Sequence, residues 1–331
     1  MWVGVFWGLV ANIFWGASYL IPLFAPDYGP TYLTIGRGFF MGLTSLVLII
    51  FSFQRYTQLT RSDWFYATRI SVVGNFLQGG FVFASVLYAG VPVAGMCFGA
   101  VPVAVALISN WRDKRRGKPF VTLKKLMIPL TCIFVGFIVS NITELETSIT
   151  EGGRTMGEFF FGLACGLIST VMWTWYPIKN ADWLQAHPQT SSAIWTTAQC
   201  LVLLPIATIL YPVVALTDES MTSFFGPTPV TLLGAAVFGG VICSFVAGIF
   251  WNICSKKCPT ALVGQMLVFE TIFSVLFGHL YRMQFPTPTL CAGFLLLLFG
   301  ISYSLKLFND ATARHGEPLE FKKETKKAKK A

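Results

Sequence analysis

The amino-acid sequence predicts an all-α integral membrane fold of ten transmembrane helices, arranged as two inverted five-helix repeats. Three observations carry that expectation. Hydrophobic residues make up 54% of the chain and charged residues 12%, with a mean hydropathy of +0.65, a balance that a water-soluble core cannot absorb. The apolar residues fall in runs long enough to cross a bilayer, which takes roughly 20 residues at about 1.5 Å per residue. Lysine and arginine crowd into alternate connections between those runs, the pattern left by segments that resist translocation.

In chain order, apolar helices are expected near 3 to 24, 31 to 53, 65 to 90, 92 to 109 and 125 to 142, then 157 to 178, 189 to 213, 229 to 253, 259 to 281 and 286 to 307. The stretch from Met1 to Val10 lacks a basic leader and a small-residue cleavage site, so it reads as the first helix and not as a removed signal peptide. Turn chemistry separates the spans at Pro26, Gly29-Pro30, Gly90-Val91-Pro92, Gly117 and Pro119, Pro188, Gly226-Pro227, Pro259 and Pro286. Several connections are so short that neighbouring helices should run antiparallel.

One set of connections holds Arg55, Arg61, Arg69, Arg112, Lys114, Arg115, Arg116, Lys118, Lys124, Lys125, Lys179, Lys256, Lys257 and the C-terminal lysines. The other holds Arg154 and Arg282 among Asp27, Glu144, Glu146, Glu151, Glu158, Asp218 and Glu219. With an even number of spans, this split places both termini in the cytoplasm of a multi-pass membrane protein. The formal charge of +9 is thus an orientation signal, and no nucleic-acid partner is expected.

Enzyme classes lack their parts. There is no phosphate-binding glycine loop, nucleophile elbow or metal-ligand helix; His187 and His279 stand alone. Of eight cysteines, the one close pair, Cys254 and Cys258, has no second pair of ligands, so neither a metal nor a cofactor is expected.

The halves share a pattern. Gly8-Leu9, five residues and Trp15 recur as Gly166-Leu167, five residues and Trp173, with Tyr19 and Tyr176 one turn further on. An odd number of helices per half forces related halves into opposite orientations. The expected division is a first repeat over 1–142, an external acidic loop over 143–156, a second repeat over 157–307 and a basic cytoplasmic tail over 308–331. Such symmetry places a substrate site near the midplane and implies alternating access.

Phe14-Trp15-Gly16-Ala17-Ser18-Tyr19, Gly36-Arg37-Gly38, Gly90-Val91-Pro92-Val93-Ala94 and Val101-Pro102 resemble the opening helix, the arginine-bearing second helix and the fourth-helix hairpin of the EamA-type drug/metabolite transporter superfamily. The resemblance covers nearly the whole chain and implies ten helices in two inverted repeats. It also implies export of a small organic metabolite, such as an amino acid. Asn110-Trp111-Arg112-Asp113-Lys114 and Tyr281-Arg282 depart from the family, which often has acids there.

Polar side chains inside spans are costly and ask for a partner or a purpose. Glu270, flanked by Phe269, Ile272 and Phe273 about eleven residues past Pro259, reads either as a proton-coupling or substrate-amine site or as a hydrogen-bonding partner for a neighbouring helix. Asn12, Asn75, Gln78 and Asn252, with Gln199 and Gln265, line a cavity or bridge helices. Trp15, Tyr19, Trp173 and Tyr176 form an aromatic wall for substrate or simply pack. Arg37 snorkels to external water or binds a carboxylate. Trp2, Trp64, Trp111 and Trp183 read as interfacial anchors, and Trp251 falls near a cytoplasmic end. The expected partners are a small-molecule substrate, membrane lipid and, for coupling, protons, acting on a monomer or dimer.

Overall fold

The computed structural model describes residues 1–18, 20–89, 91–117, 120–151, 155–218, 223–281, 283, 285 and 288–316. Among the described residues all regular structure is helical, in elements that lie end to end as ten rods. The first half comprises α1 (Trp2–Ser18) with the short α2 (Ile21–Phe24), α3 (Pro30–Tyr56), α4 (Arg61–Ser71) continuing through a π-helical segment (Val72–Leu77) into α5 (Gln78–Ala89), α6 (Val91–Arg115) and α7 (Leu123–Glu151). The second comprises α8 (Met156–Ala186), α9 (Ser192–Leu201) with α10 (Leu203–Thr217), α11 (Pro229–Val237) continuing through a second π segment (Phe238–Val246) into α12 (Ala247–Lys257), α13 (Thr260–Met266) with α14 (Val268–Tyr281), and α15 (Pro288–Gly316).

Local chemistry sets the starts. Thr60 and Asp63 form a capping box at α4, as Thr155 and Glu158 do at α8, and the Ser191 hydroxyl caps α9. Prolines occupy the first turns of α3 and α11, where a missing N–H costs nothing.

Five of the described helices are long and apolar enough to cross a bilayer: Thr31–Tyr56, Met156–Ala186, Ser192–Thr217, Pro229–Lys257 and Pro288–Ala311. Their outward faces carry large apolar side chains. Phe51 is 83% exposed, Val171 70% and Leu216 78%, a surface suited to hydrocarbon and not to water.

Two sequence expectations change. Helix α7 continues through Glu151, so most of 143–156 is helical and not a loop, and α15 continues through Gly316 into what reads as tail. Glu144, Leu145 and Glu146 in the α7 extension and Ala311, Ala313 and Arg314 in that of α15 are good helix formers, so neither helix stops where its apolar stretch does.

Contacts between the two halves repeat when five is added to each rod number, whereas the packing of α8 on α12 and α13 has no strong counterpart from α1 to the third and fourth rods among the described residues. Helix α1 packs on α12 and α14, as α8 packs on α5 and α6. Helix α3 meets α11 and the second π segment, as α9 meets α4. The pairs α3 with α9 and α10, α6 with α13, and α7 with α15 map onto themselves.

The α7–α15 seam is close enough that a Cβ on Gly136 would lie 2.8 Å from the carbonyl oxygen of Gly293 and 3.0 Å from the amide nitrogen of Leu297. Backbone cannot yield as a side chain can. Gly136→Leu should therefore lower thermal stability in detergent by about 2 kcal/mol or more; a melting temperature equal to wild type would refute this packing.

Candidate functional site

Helix α8 is the spine of the interior. Asn180, fully buried near its end, accepts hydrogen bonds at Oδ1 from Trp195 Nε1 (2.8 Å) and Gln199 Nε2 (3.1 Å) of α9, and donates from Nδ2 to Asn252 Oδ1 of α12 (2.7 Å). Asn252 donates in turn to Thr196 Oγ1 (2.8 Å). One turn earlier on α8, Tyr176 donates to Gln199 Oε1 (3.0 Å) and receives the Asn75 side chain from the first π segment. A Cβ on Gly74 would overlap the Tyr176 ring, so only glycine lets the π segment approach so closely.

Beside this polar network stands an aromatic wall. The Trp173 ring stacks on Tyr176 (centroids 5.3 Å apart, planes within 3°), and Trp15 meets Trp173 at 6.1 Å and Trp251 at 5.0 Å. The sequence pairing of Trp15 with Trp173 thus becomes a contact between the first and sixth rods.

The residues expected at a site divide into three groups. Trp15, Asn75, Trp173 and Tyr176 come together. Asn252 lies at the far end of the polar network with both ends of its amide engaged by protein, which makes it a helix bridge in this arrangement and not an open ligand group. Asn12 is wholly buried on α1, with Nδ2 donating to the Gly8 carbonyl (2.6 Å), while Gln78 is buried at the start of α5, its carbonyl accepting from Ser169 Oγ (3.2 Å). Glu270 sits in the first turn of α14, just past the interruption at Leu267 that divides the ninth rod. Tyr19 lies outside the described residues.

Two readings change, those of Trp183 and Arg37. Trp183 is 7% exposed, not an interfacial anchor: its ring stacks on Trp195 at 3.5 Å and its Nε1 donates to Asp63 Oδ1 (2.9 Å). Trp251 is buried against Trp15. Arg37 does not run out along a lipid-facing surface. Its stem lies beside Gly239 and its guanidinium beside Gly79, so it crosses between the third and eighth rods. Asn180 and Trp195 were missed because a lone amide and a lone indole carry no periodic signal; the run of polar residues from Asn180 to Gln185 in an otherwise apolar helix is what could have found them.

Every second or third residue of that run grips a different neighbour at the basic end of the bundle. Asp182 takes Arg112 of α6 and, at 3.3 Å, Arg116 just past its end, while Gln185 donates to the carbonyls of Ser255 (3.1 Å) and Cys258 (3.2 Å). His187 stacks on Trp183 at 4.2 Å, with Nε2 3.9 Å from Asp63 Oδ1. At the opposite end Tyr28 donates to the Phe225 carbonyl (2.8 Å), Tyr32 to Asp218 (3.0 Å) and Thr228 to Asp27 (2.9 Å).

This fold, with long apolar helices, a lipid-suited exterior and a polar seam inside, defines a multi-pass membrane protein. The inner membrane protein YtfF of Escherichia coli (strain K12) is 32% identical over 308 residues, covering 92% of this chain and 95% of that protein. The chain belongs to the YtfF family. A protein of known crystal structure shares the fold at a TM-score of 0.71, with 16% identity over 93% of this chain and 98% of that one. No family model matches the chain.

Two predictions follow from the network and its end. Asn180→Ala leaves two donors and an acceptor unpaired in a dry interior, and should cost at least about 3 kcal/mol in thermal unfolding; a loss under about 1 kcal/mol would refute the hub. Asp63 lies ahead of the apolar stretch. Burial pushes its carboxyl up, but hydrogen bonds from Thr60 and Trp183 and the nearby His187 outweigh burial and hold it below the ordinary carboxylate value. Its stabilisation is therefore complete above about pH 4 and lost as pH falls through the lowered value. Thermal melts below about pH 4 should steepen for wild type relative to Asp63→Asn, and equal slopes would remove the role.

Proposed function

We propose that the chain is a secondary transporter of EamA type, moving a small organic metabolite, an amino acid or related compound, by alternating access across the inner membrane. In this reading the ten rods are ten crossings in two inverted repeats, both termini are cytoplasmic, and the direction is export. Substrate, lipid and coupling protons are the partners of a monomer or dimer; there is no catalytic step and no nucleic acid.

The observation that carries the reading is the contact pattern that recurs with a period of five rods. It is the pattern expected of two related halves facing each other across a shared interior, where rocking exposes one site to each side in turn. The interior suits an amphoteric solute. Arg37 brings a guanidinium between Gly79 and Gly239, Glu270 brings a carboxylate at a helix break, and Trp15, Trp173 and Tyr176 bring flat apolar surface. The grip of the α8 terminus on its neighbours corresponds to a cytoplasmic side that is shut.

Purified protein screened against a metabolite panel should show a substrate-dependent thermal shift, and the same compound should drive counterflow in proteoliposomes. Neither response across the panel would leave a non-transporting scaffold. If protons drive the cycle, Glu270→Gln should abolish the pH dependence of flux while counterflow persists. The second reading is a facilitator or exchanger without proton coupling. It is favoured by the place of Glu270 in the first turn of α14, where a carboxylate complements the unpaired N–H groups of a helix start. Unchanged pH dependence in Glu270→Gln would select it.

A further inference from the structure

We infer that Asn12, Trp251 and Gln265 are a hydrogen-bonding seat for an uncharged polar end of the solute, a carboxamide or hydroxyl, on the seam where α1 meets α12 and α13. The inference rests on the transport reading and assigns a part of the site that the polar network does not use.

Gln265 is fully buried and neither its Oε1 nor its Nε2 has a hydrogen-bond partner. The same holds for Trp251 Nε1, in a residue 1% exposed, and for Asn12 Oδ1, in a residue with no exposure. Contacts place Asn12 and Trp251 on one seam, and the residue after Gln265 reaches the same seam. A Cβ on Gly8, one turn before Asn12, would touch Cys254 Sγ (2.7 Å) and Met266 Cε (3.4 Å), while Trp15, just under one turn after Asn12, meets the Trp251 ring at 5.0 Å. Trp251 and Cys254 are one turn apart on α12, and Gln265 adjoins Met266 on α13.

Each unmade bond in such an interior costs about 1 to 3 kcal/mol, and methionine would fill the space of Gln265 without that cost. The amides of Asn180, Gln199 and Asn252 find their partners in protein, whereas Gln265, like the buried hydroxyls of Ser109, Ser255 and Ser304, does not. The seam groups are accordingly matched to the arrangement in which α1 parts from α12 and α13 and a solute enters. Their chemistry names the guest. Gln265 offers a donor and an acceptor, Trp251 a donor and Asn12 an acceptor, all neutral, so they complement a group that both donates and accepts without charge. Trp15 closes one side of the seam with an apolar face.

The test uses near-isosteric pairs, L-glutamine against L-methionine and L-asparagine against L-leucine, titrated by thermal shift on full-length protein in detergent. Wild type should favour the carboxamide of each pair by at least about tenfold. Gln265→Met should erase that preference and raise the ligand-free melting temperature, because it removes an unsatisfied amide; Trp251→Phe should weaken the preference with an unchanged or higher melting temperature. A lower melting temperature in both variants, a preference that survives Gln265→Met, or a wild type indifferent to both pairs would overturn the seat. Failure of the transport reading is separate: it shows as no counterflow from a wild type that still discriminates.

Discussion

Hydrocarbon offers no water to an unmade hydrogen bond, so a carboxamide inside a bundle of membrane helices must find its partners in protein. Asn180 meets that constraint by joining three helices, α8, α9 and α12, through one side chain. Those bonds fix the rotation of α8 about its axis. Once it is fixed, Asp182, Trp183 and Gln185 must leave the helix in three directions, toward α6, toward α4, and toward α12 with α13. The closure of the basic end is thus a consequence of how one amide deeper in the bundle is satisfied.

Against this fixed side stands one built from interrupted helices. The third and eighth rods each contain a π segment, and the ninth is divided at Leu267. A π turn leaves the local ladder wider and its carbonyls less tightly paired, which makes it a natural place for a helix to bend or to admit a neighbour. Here each π-bearing rod lies against the first rod of the opposite half, α5 on α8 and α12 on α1. Deformable elements therefore face the helices that carry the aromatic wall, and α8, held by Asn180, is the stiffer of the two.

Much of this architecture is legible in the sequence because its cause is local. Apolar runs, proline and glycine breaks and the sorting of Lys and Arg all act within a few residues, so the rods begin close to where the residues place them, although α7, α8 and α15 run on past their expected ends. Helix α7 escaped that logic, since the segment after 142 is polar enough to leave the bilayer but still helix-forming. The pairing of Trp15 with Trp173 was readable as matching positions in two halves. What was not readable was which amides meet. Asn180 and Gln265 are both amides in largely apolar helices, yet one has three partners and the other none. The difference is set by neighbours 15 to 72 residues away on one side and by the α1 seam on the other.

A machine that alternates between two arrangements cannot have one that is much deeper than the other, because a solute shifts the balance only by its difference in affinity for the two. Satisfying every buried polar group in one arrangement would deepen it by several kcal/mol at the expense of the other. In the proposed transport cycle, the uneven satisfaction seen here, complete for the Asn180 side chain and missing for Gln265, would keep this form well ordered where helices move as a body and shallow where they separate. The ion pairs of Asp182 belong to the same balance: they lie at a partly exposed end, where water can replace each bond as it breaks, so they hold the end shut without making it costly to open.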